Sequence, residues 1–284
     1  MITIAARNLK LFFRDKTTVF FSLLGVIIII GLYVLFLGDM LISGMDEIEN
    51  ARFLLDSWIM AGLLAVTSIT TTMGAFGIMV DDRANKIIKD FSSSPIKNRN
   101  LAGGYIVSAF VIGVIISLIA LVFAEVYIVS NGGQFLSFLA LMKVLGLILL
   151  SVLSSSSMVF FMVSFFKSQN AFATASTVIG TLIGFLTGIY IPIGSLPDTV
   201  QLAIKIFPVS HAGSLFRQVM MAEPMEVAFK DAPTESIENF NQSMGVVFNF
   251  GGYTTTMLTS VVILLATTAL FYGLAILNIS RKRK

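Results

Sequence analysis

Long apolar runs separated by short charged stretches set the rhythm of this chain. Runs at 18–37, 58–80, 102–129, 144–166, 171–191 and 254–277 are almost free of ionisable residues. Each matches the roughly 20 helical residues needed to cross about 30 Å of hydrocarbon. Lipid offers a bare backbone no hydrogen bonds, so only helices or a closed barrel can span it, and these runs lack the polar alternation of barrel strands. The pattern predicts an all-α integral membrane protein with six transmembrane helices in a single transmembrane domain, 1–284. The composition excludes a soluble fold, with 56% hydrophobic and 12% charged residues and a mean hydropathy of +0.90. The first run has no clear small-residue cleavage site after it and reads as a permanent anchor.

Charge then orients the runs, because Lys and Arg are retained on the cytoplasmic side. Alternate segments carry Arg7, Lys10, Arg14 and Lys16; Arg83, Lys86, Lys89, Lys97 and Arg99; Lys167; and Arg281, Lys282, Arg283 and Lys284, against Asp15, Asp81, Asp82 and Asp90. The intervening segments carry Arg52, Lys205, Arg217 and Lys230 against Asp39, Asp46, Glu47, Glu49, Asp56, Asp198, Glu223, Glu226, Asp231, Glu235 and Glu238. Both termini are therefore expected in the cytoplasm. The net charge of +3 follows topology and does not gather into a basic groove with interleaved aromatics, so no nucleic-acid partner is expected.

Three segments outside the runs carry pattern. In 1–17, Arg7, Lys10 and Arg14 share one helical face and Ile2, Ala5, Leu9 and Phe12 another, the spacing of an amphipathic helix lying in the membrane interface. In the cytoplasmic loop 81–101, Ile87, Ile88 and Phe91 form a small apolar face among charges, followed by Ser92-Ser93-Ser94-Pro95. A face that small forms no core of its own, so the short helix either enters a groove on a partner or lies on the interface. The segment 192–252, on the outer side, holds five of the six prolines. It predicts two helices too short to span: one over 198–207 with Val200, Ala203 and Ile206 on a face, and one over 211–221 with Leu215, Phe216, Val219 and Met220 apolar. Both are expected half-immersed, as a cap or re-entrant hairpin.

Within the runs, Ser176, Gly180, Gly184 and Gly188 form a small-residue stripe for close helix packing, within the chain or against a second copy. Hydroxyl clusters at Thr67–Thr72, Ser151–Ser157 and Thr254–Ser260 either line a path or bond helices to one another. Glu125 and Lys143 flank the hairpin Asn131-Gly132-Gly133-Gln134 and are expected to form an ion pair near the outer interface, the alternative being that each snorkels separately to water. No ionisable residue is expected at mid-membrane depth. Cysteine is absent, and the single histidine, His211, lacks a metalloprotease context and reads as a surface or packing residue. No G-x-x-x-x-G-K-[ST] loop is present, so nucleotide is not bound here by that device. No catalytic, cofactor or metal site is expected.

The N-terminal stretch R-N-L-K-L-F-F-R-D (7–15), the loop D-D-R-A-N-K-I-I-K-D-F-S-S-S-P-I-K-N-R-N-L (81–101) and the outer stretch I-P-I-G-S-L-P-D-T-V-Q-L-A-I-K-I-F-P-V-S-H (191–211) give the chain a family likeness. It resembles, over nearly its full length, the permease subunits of type-2 ATP-binding-cassette exporters. The resemblance implies a cytoplasmic coupling helix that docks on a separate ATPase subunit, which holds the ATP and Mg. It also implies a second permease, identical or paralogous, and a place in the bacterial cell membrane. Carried over residue by residue, docking falls to Lys86, Ile87, Lys89, Asp90 and Phe91, assisted by Arg7, Lys10 and Arg14. The implied activity is ATP-driven export of an amphipathic drug, peptide, lipid or glycolipid. The rival classes are an ion-coupled secondary transporter or channel, which calls for mid-membrane charges or inverted repeats, and an intramembrane enzyme, which calls for a nucleophile and base within the spans.

Overall fold

A computed structural model describes residues 1–38, 40, 50–92 and 98–281. Asp39, Asp46, Glu47, Glu49, Ser93, Ser94, Pro95, Lys97, Lys282, Arg283 and Lys284, which entered the charge and loop readings, lie outside the described residues. The long helices are α2 (Lys16–Leu32, continued by a π-helical turn at Tyr33–Leu37), α3 (Ala51–Ala84), α5 (Asn98–Ser130), α6 (Phe138–Val163) and α12 (Met257–Arg281). Among the described residues these contain the five stretches long and apolar enough to cross a membrane, so the chain is an all-α, multi-pass membrane protein. Over the predicted crossing at 171–191 the chain forms an 18-residue helix, α7 (Gln169–Leu186), shorter than the other long helices. It stops early because Gly188 turns the chain at φ +65, and Tyr190 folds back so closely that a Cβ on Gly184 would stand 2.0 Å from its ring.

Helix α3 is the centre of the molecule. It packs on α2, α5, α6, α7 and the short helix α9 (Pro208–Met220), and few of its side chains reach the surface. At about 1.5 Å per residue its 34 residues extend roughly 50 Å, well beyond the hydrocarbon. Arg52, Asp56, Asp81, Asp82 and Arg83, assigned to loops by their charge, therefore belong to the ends of one continuous helix.

The N-terminal helix α1 (Ile2–Arg14) buries Ile4, Ala5, Asn8 and Phe12, whereas Ile2 stays 79% exposed. It lies along α5 rather than on lipid alone. Gly103 and Gly104 permit this approach, since a Cβ on Gly104 would come within 2.7 Å of Ile4. Asp15 turns the corner into α2, its carboxylate accepting from the amides of Thr17 at 3.0 Å and Thr18 at 3.3 Å. At the far end of α3, the turn Asn85-Lys86, with Lys86 at φ +63, separates a six-residue helix, α4 (Ile87–Ser92).

The segment between α7 and α12 is more structured than the prolines alone indicated. It holds α8 (Asp198–Ile206), α9, α10 (Ala222–Ala228), α11 (Thr234–Ser243) and a two-strand hairpin, β1 (Asn249–Phe250) with β2 (Tyr253–Thr254). Gly251 and Gly252, both at positive φ, close that hairpin, so Thr254 belongs to a strand and the last long helix begins at Met257. The two expected half-immersed helices differ. Helix α8 buries Ile204 and exposes Val200, Ala203 and Ile206, while α9, starting with Pro208 at its first turn, is buried along its length against α3, α6 and α12.

Arg217 holds α9 in place. It is fully buried, and its guanidinium donates to the carbonyls of Thr187 (3.1 Å), Gly188 (3.2 Å) and Gly245 (3.3 Å). Two of these acceptors lie at the C-terminal end of α7, where the helix dipole favours a cation. The guanidinium also stacks 4.8 Å from the Trp58 ring, whose indole N–H donates to Met244 O at 2.7 Å. His211 is likewise a packing residue: Nε2 donates to Lys205 O at 2.9 Å, which leaves Nδ1 to accept from the Ser260 hydroxyl at 3.2 Å. Burial holds its pKa below the ordinary 6.5, outweighing the Lys205 contact.

Two outcomes follow. Arg217→Ala leaves three buried carbonyls without a donor, and unfolding in detergent, followed by the fluorescence of the single tryptophan, Trp58, is expected to cost about 3 kcal/mol less. An unchanged melting temperature would show that other donors serve those carbonyls. For His211, the unfolded chain binds a proton between pH 6.5 and the lowered folded value that the folded chain does not. Its contribution is constant above about pH 6.5 and is lost as pH falls below it. The melting temperature of His211→Gln is expected to fall less than that of the wild type between pH 7 and pH 5.

Candidate functional site

Two regions have the composition of a working surface. One is the end of the molecule that carries the basic residues of α1, α3 and α4. There Asp82 is 3% exposed and receives both Nη atoms of Arg7, Nη2 to Oδ1 at 2.8 Å. The Tyr105 hydroxyl of α5 donates to Oδ2 at 2.5 Å. The pairing with Asp82 raises the Arg7 pKa, and a bidentate fork of this kind also fixes orientation. Asn8 is fully buried and donates to the Ser108 hydroxyl at 3.2 Å. Arg7 lies 5.5 Å from the Phe91 ring of α4. The next residue of α3, Arg83, donates to Val163 O (3.0 Å) at the end of α6 and to Phe166 O (2.6 Å) just beyond it.

The residues expected to dock a partner therefore divide. Arg7 and Phe91 contact the chain itself. Lys10, Arg14, Lys86, Lys89 and Asp90 are exposed and Ile87 is half-buried, so these present a mixed surface around α4. Asp82, Tyr105 and Asn8 were not singled out from sequence. An acidic residue at the end of an apolar run was the available signal for Asp82, but its partner is 75 positions away.

The second region is a cleft of about 800 Å³ between α2, α3 and α7. Thr17, Thr18, Ser22, Thr70, Ser176 and Thr177 give it hydroxyls, and Phe21, Ile28, Val66, Met73 and Phe172 give it apolar surface. None of its lining residues is Asp, Glu, Lys or Arg. The small-residue stripe splits here. Ser176 and Gly180 line the cleft, and a Cβ on Gly180 would meet nothing within 4 Å. Gly184 and Gly188 instead face Tyr190 and Ile193 of the same chain.

The clustered hydroxyls, by contrast, mostly bond helices. Ser151 donates to Ser68 at 2.8 Å, Ser68 pairs with Ser155 at 3.1 Å, and Tyr272 donates to Ser156 at 3.3 Å. Thr67 and Thr72 bond carbonyls of their own helix. Thr255 accepts from Phe248 N in the hairpin. Of these clusters only Thr70 reaches the cleft.

The ion pair expected between Glu125 and Lys143 is not formed. Glu125 accepts from the Leu136 backbone N–H at 3.0 Å, because the 131–137 turn brings that amide over the end of α5, and Lys143 is exposed on α6. At the same end of the molecule another acidic residue is buried. Asp56 is 1% exposed, neither carboxylate oxygen has a hydrogen-bond partner, and Arg52 Nε stands 4.0 Å away. Among the described residues no cluster of three or more His, Cys, Asp or Glu has metal-binding geometry.

Residues 47–277 match the family profile of the ABC-2 family transporter proteins. That span takes in α3, α5, α6 and α12 up to residue 277, together with α4, α7 and the 187–256 segment. The chain belongs to the ABC-2 transporter family. Among curated proteins it is similar to Nodulation protein J of Rhizobium leguminosarum bv. trifolii, 29% identical over 106 residues, which is 37% of this chain and 40% of that protein.

Proposed function

We propose that this ABC-2 permease is the membrane half of an ATP-driven exporter in the bacterial plasma membrane. It crosses six times, with α7 as the fifth crossing, and holds both termini in the cytoplasm. A separate ATPase subunit, which binds the ATP and Mg, docks on α4 and the exposed basic face of α1. A second permease, identical or paralogous, closes the α2–α3–α7 cleft, and ATP binding alters the cleft's access through the docking helix. The observation that carries this reading is α4 itself. It is a helix of six residues set off from α3 by Lys86 in the left-handed region, presenting Ile87, Lys89 and Asp90 at the basic end of a family permease. A helix that short has no stability of its own and is suited to a groove on a partner.

The cleft supports an amphipathic cargo, such as a drug, peptide, lipid or glycolipid. Its walls mix hydroxyl and apolar groups with no fixed charge, so any charged part of the cargo would remain unpaired inside it. Ion coupling, the competing reading, calls for an ionisable group midway along a span. Asp56 lies only five residues from the start of α3, about 17 Å from its midpoint by helical rise, which favours an outer-surface role.

Purification from native membranes in mild detergent is expected to bring down, in stoichiometric amount, a subunit with a G-x-x-x-x-G-K-[ST] loop. A chain that purifies alone and transports in liposomes without ATP would overturn the exporter reading. Ile87→Asp is expected to abolish that co-purification while leaving membrane insertion intact. Gly180→Trp, which enters the cleft where a Cβ meets nothing, is expected to reduce transport at least tenfold with an unchanged melting temperature; undiminished transport would remove the cleft from the path.

A further inference from the structure

The basic residues at the α1 end had one expected task, docking, and the structure separates Arg7 from the others. Lys10 and Arg14 are exposed. Arg7 has its guanidinium forked onto a buried carboxylate and its face toward Phe91. A charge so paired contributes little attraction to an approaching protein, because Asp82 cancels it at contact distance. Its geometry serves another end. Through Arg7, four helices meet at one point: α4 by the Phe91 ring, α3 by Asp82, α5 by the Tyr105 hydroxyl on that same carboxylate, and α1 by its own backbone, which Asn8 ties to Ser108.

The covalent connection from α4 to α3 runs through the turn Asn85-Lys86, whose amides donate to Asp81 O (2.9 Å) and Arg83 O (3.2 Å). The Arg7 fork is stiffer, since two parallel hydrogen bonds and a ring contact fix both distance and angle. A displacement of α4 therefore reaches the end of α3 through Arg7 as well as through the turn. Helix α3 is the wall that carries Val66, Thr70, Met73 and Gly74 into the cleft, two to four turns away.

We infer that Arg7 is a positioning residue and not a docking residue: by bridging Phe91 of α4 to Asp82 of α3 and Tyr105 of α5, it makes the docking helix and the cleft helices move as one body. The inference rests on the exporter reading, and deepens it by assigning the internal link between partner motion and cleft.

The test uses the permease co-purified with its ATPase subunit and reconstituted in liposomes, with ATP hydrolysis and cargo transport measured on the same preparation. Arg7→Ala is expected to keep the ATPase subunit bound and hydrolysing within about twofold of wild type, while transport per ATP falls at least tenfold. Arg7→Asp and Asp82→Arg are each expected to behave likewise, and the double exchange Arg7→Asp with Asp82→Arg to recover a substantial part of the ratio. Should those variants fail to insert, Phe91→Leu keeps apolar packing and the Arg7–Asp82 pair, removing only the ring contact; it is expected to lower the same ratio with the complex intact. Loss of the ATPase subunit from Arg7→Ala but not from Asp82→Asn would make Arg7 a docking residue and overturn the inference. So would an unchanged transport-to-hydrolysis ratio in Arg7→Ala or in Phe91→Leu. The wild-type preparation serves as the separate check on the exporter reading, which fails if no ATPase subunit accompanies it.

Discussion

A helix surrounded by protein inside lipid has no water to satisfy its polar groups, and α3 lives under that constraint along most of its length. Every hydroxyl, carboxylate or indole it carries needs a partner from a neighbouring element or from its own backbone. The neighbours are arranged accordingly. Ser68 meets Ser151 and Ser155 of α6, Trp58 meets the 244–246 turn, and Asp82 meets Arg7 and Tyr105. The shape of the bundle is in large part the set of positions from which these groups on α3 are reached. Asp56 and Thr71 stand out, because the same rule leaves both Asp56 oxygens and the Thr71 hydroxyl without a hydrogen bond.

The constraint also explains why the helices around α3 are unequal. Helix α2 buries Val26 and Ile29 and exposes Phe20, Phe21, Ile27 and Ile28, as a helix facing lipid does. Helix α7 presents Phe172 and Ile183 to the interior, while Thr174, Thr177 and Thr181 bond carbonyls of their own helix and stay exposed. A hydroxyl bonded to its own backbone is tolerable in lipid, beside another helix or beside a polar cargo. Between α2 and α7 the bundle therefore stays open over α3, with walls that are neither purely lipid-like nor charged.

Much of this was legible in the sequence because hydrophobic runs report the lipid directly. The long helices, the amphipathic α1 and the separate α4 all follow from run length and from charge at the ends. What escaped depends on distance along the chain. Asp56 and Asp82 read as loop residues because charge was taken to end a span, yet helices outlast the hydrocarbon and can carry acids into their first and last turns when a partner waits there. The burial of α9 escaped because its pattern, Leu215, Phe216, Val219 and Met220 beside Arg217, is that of an interfacial helix; only the carbonyls of Thr187, Gly188 and Gly245, brought in by the turns after α7, make a buried Arg217 tolerable. The Gly251-Gly252 hairpin was the one local feature within reach that the apolar run starting at Thr254 masked. The Glu125–Lys143 expectation failed on similar ground, since a backbone amide one hairpin away was nearer to Glu125 than any cation.

The division of labour between the two kinds of basic residue follows from their chemistry. Arg7, Arg52, Arg83 and Arg217 each donate to a named acceptor: Asp82, Asn131, the end of α6, and the turn after α7. Lys10, Lys16, Lys86, Lys89, Lys143 and Lys167 are exposed. A planar guanidinium with five donors builds geometry, and an ammonium on a flexible stem supplies charge at a surface. The excess of positive charge that orients the chain in the membrane is thus not one population. Arg7 and Arg83 of that set fasten helices to one another, and its exposed lysines, with Arg14 and Arg99, form the field that a membrane surface or an approaching subunit meets. On the exporter reading, the docking face is therefore lysine-rich and tolerant of small shifts, and the precision of the response resides in the arginine forks behind it.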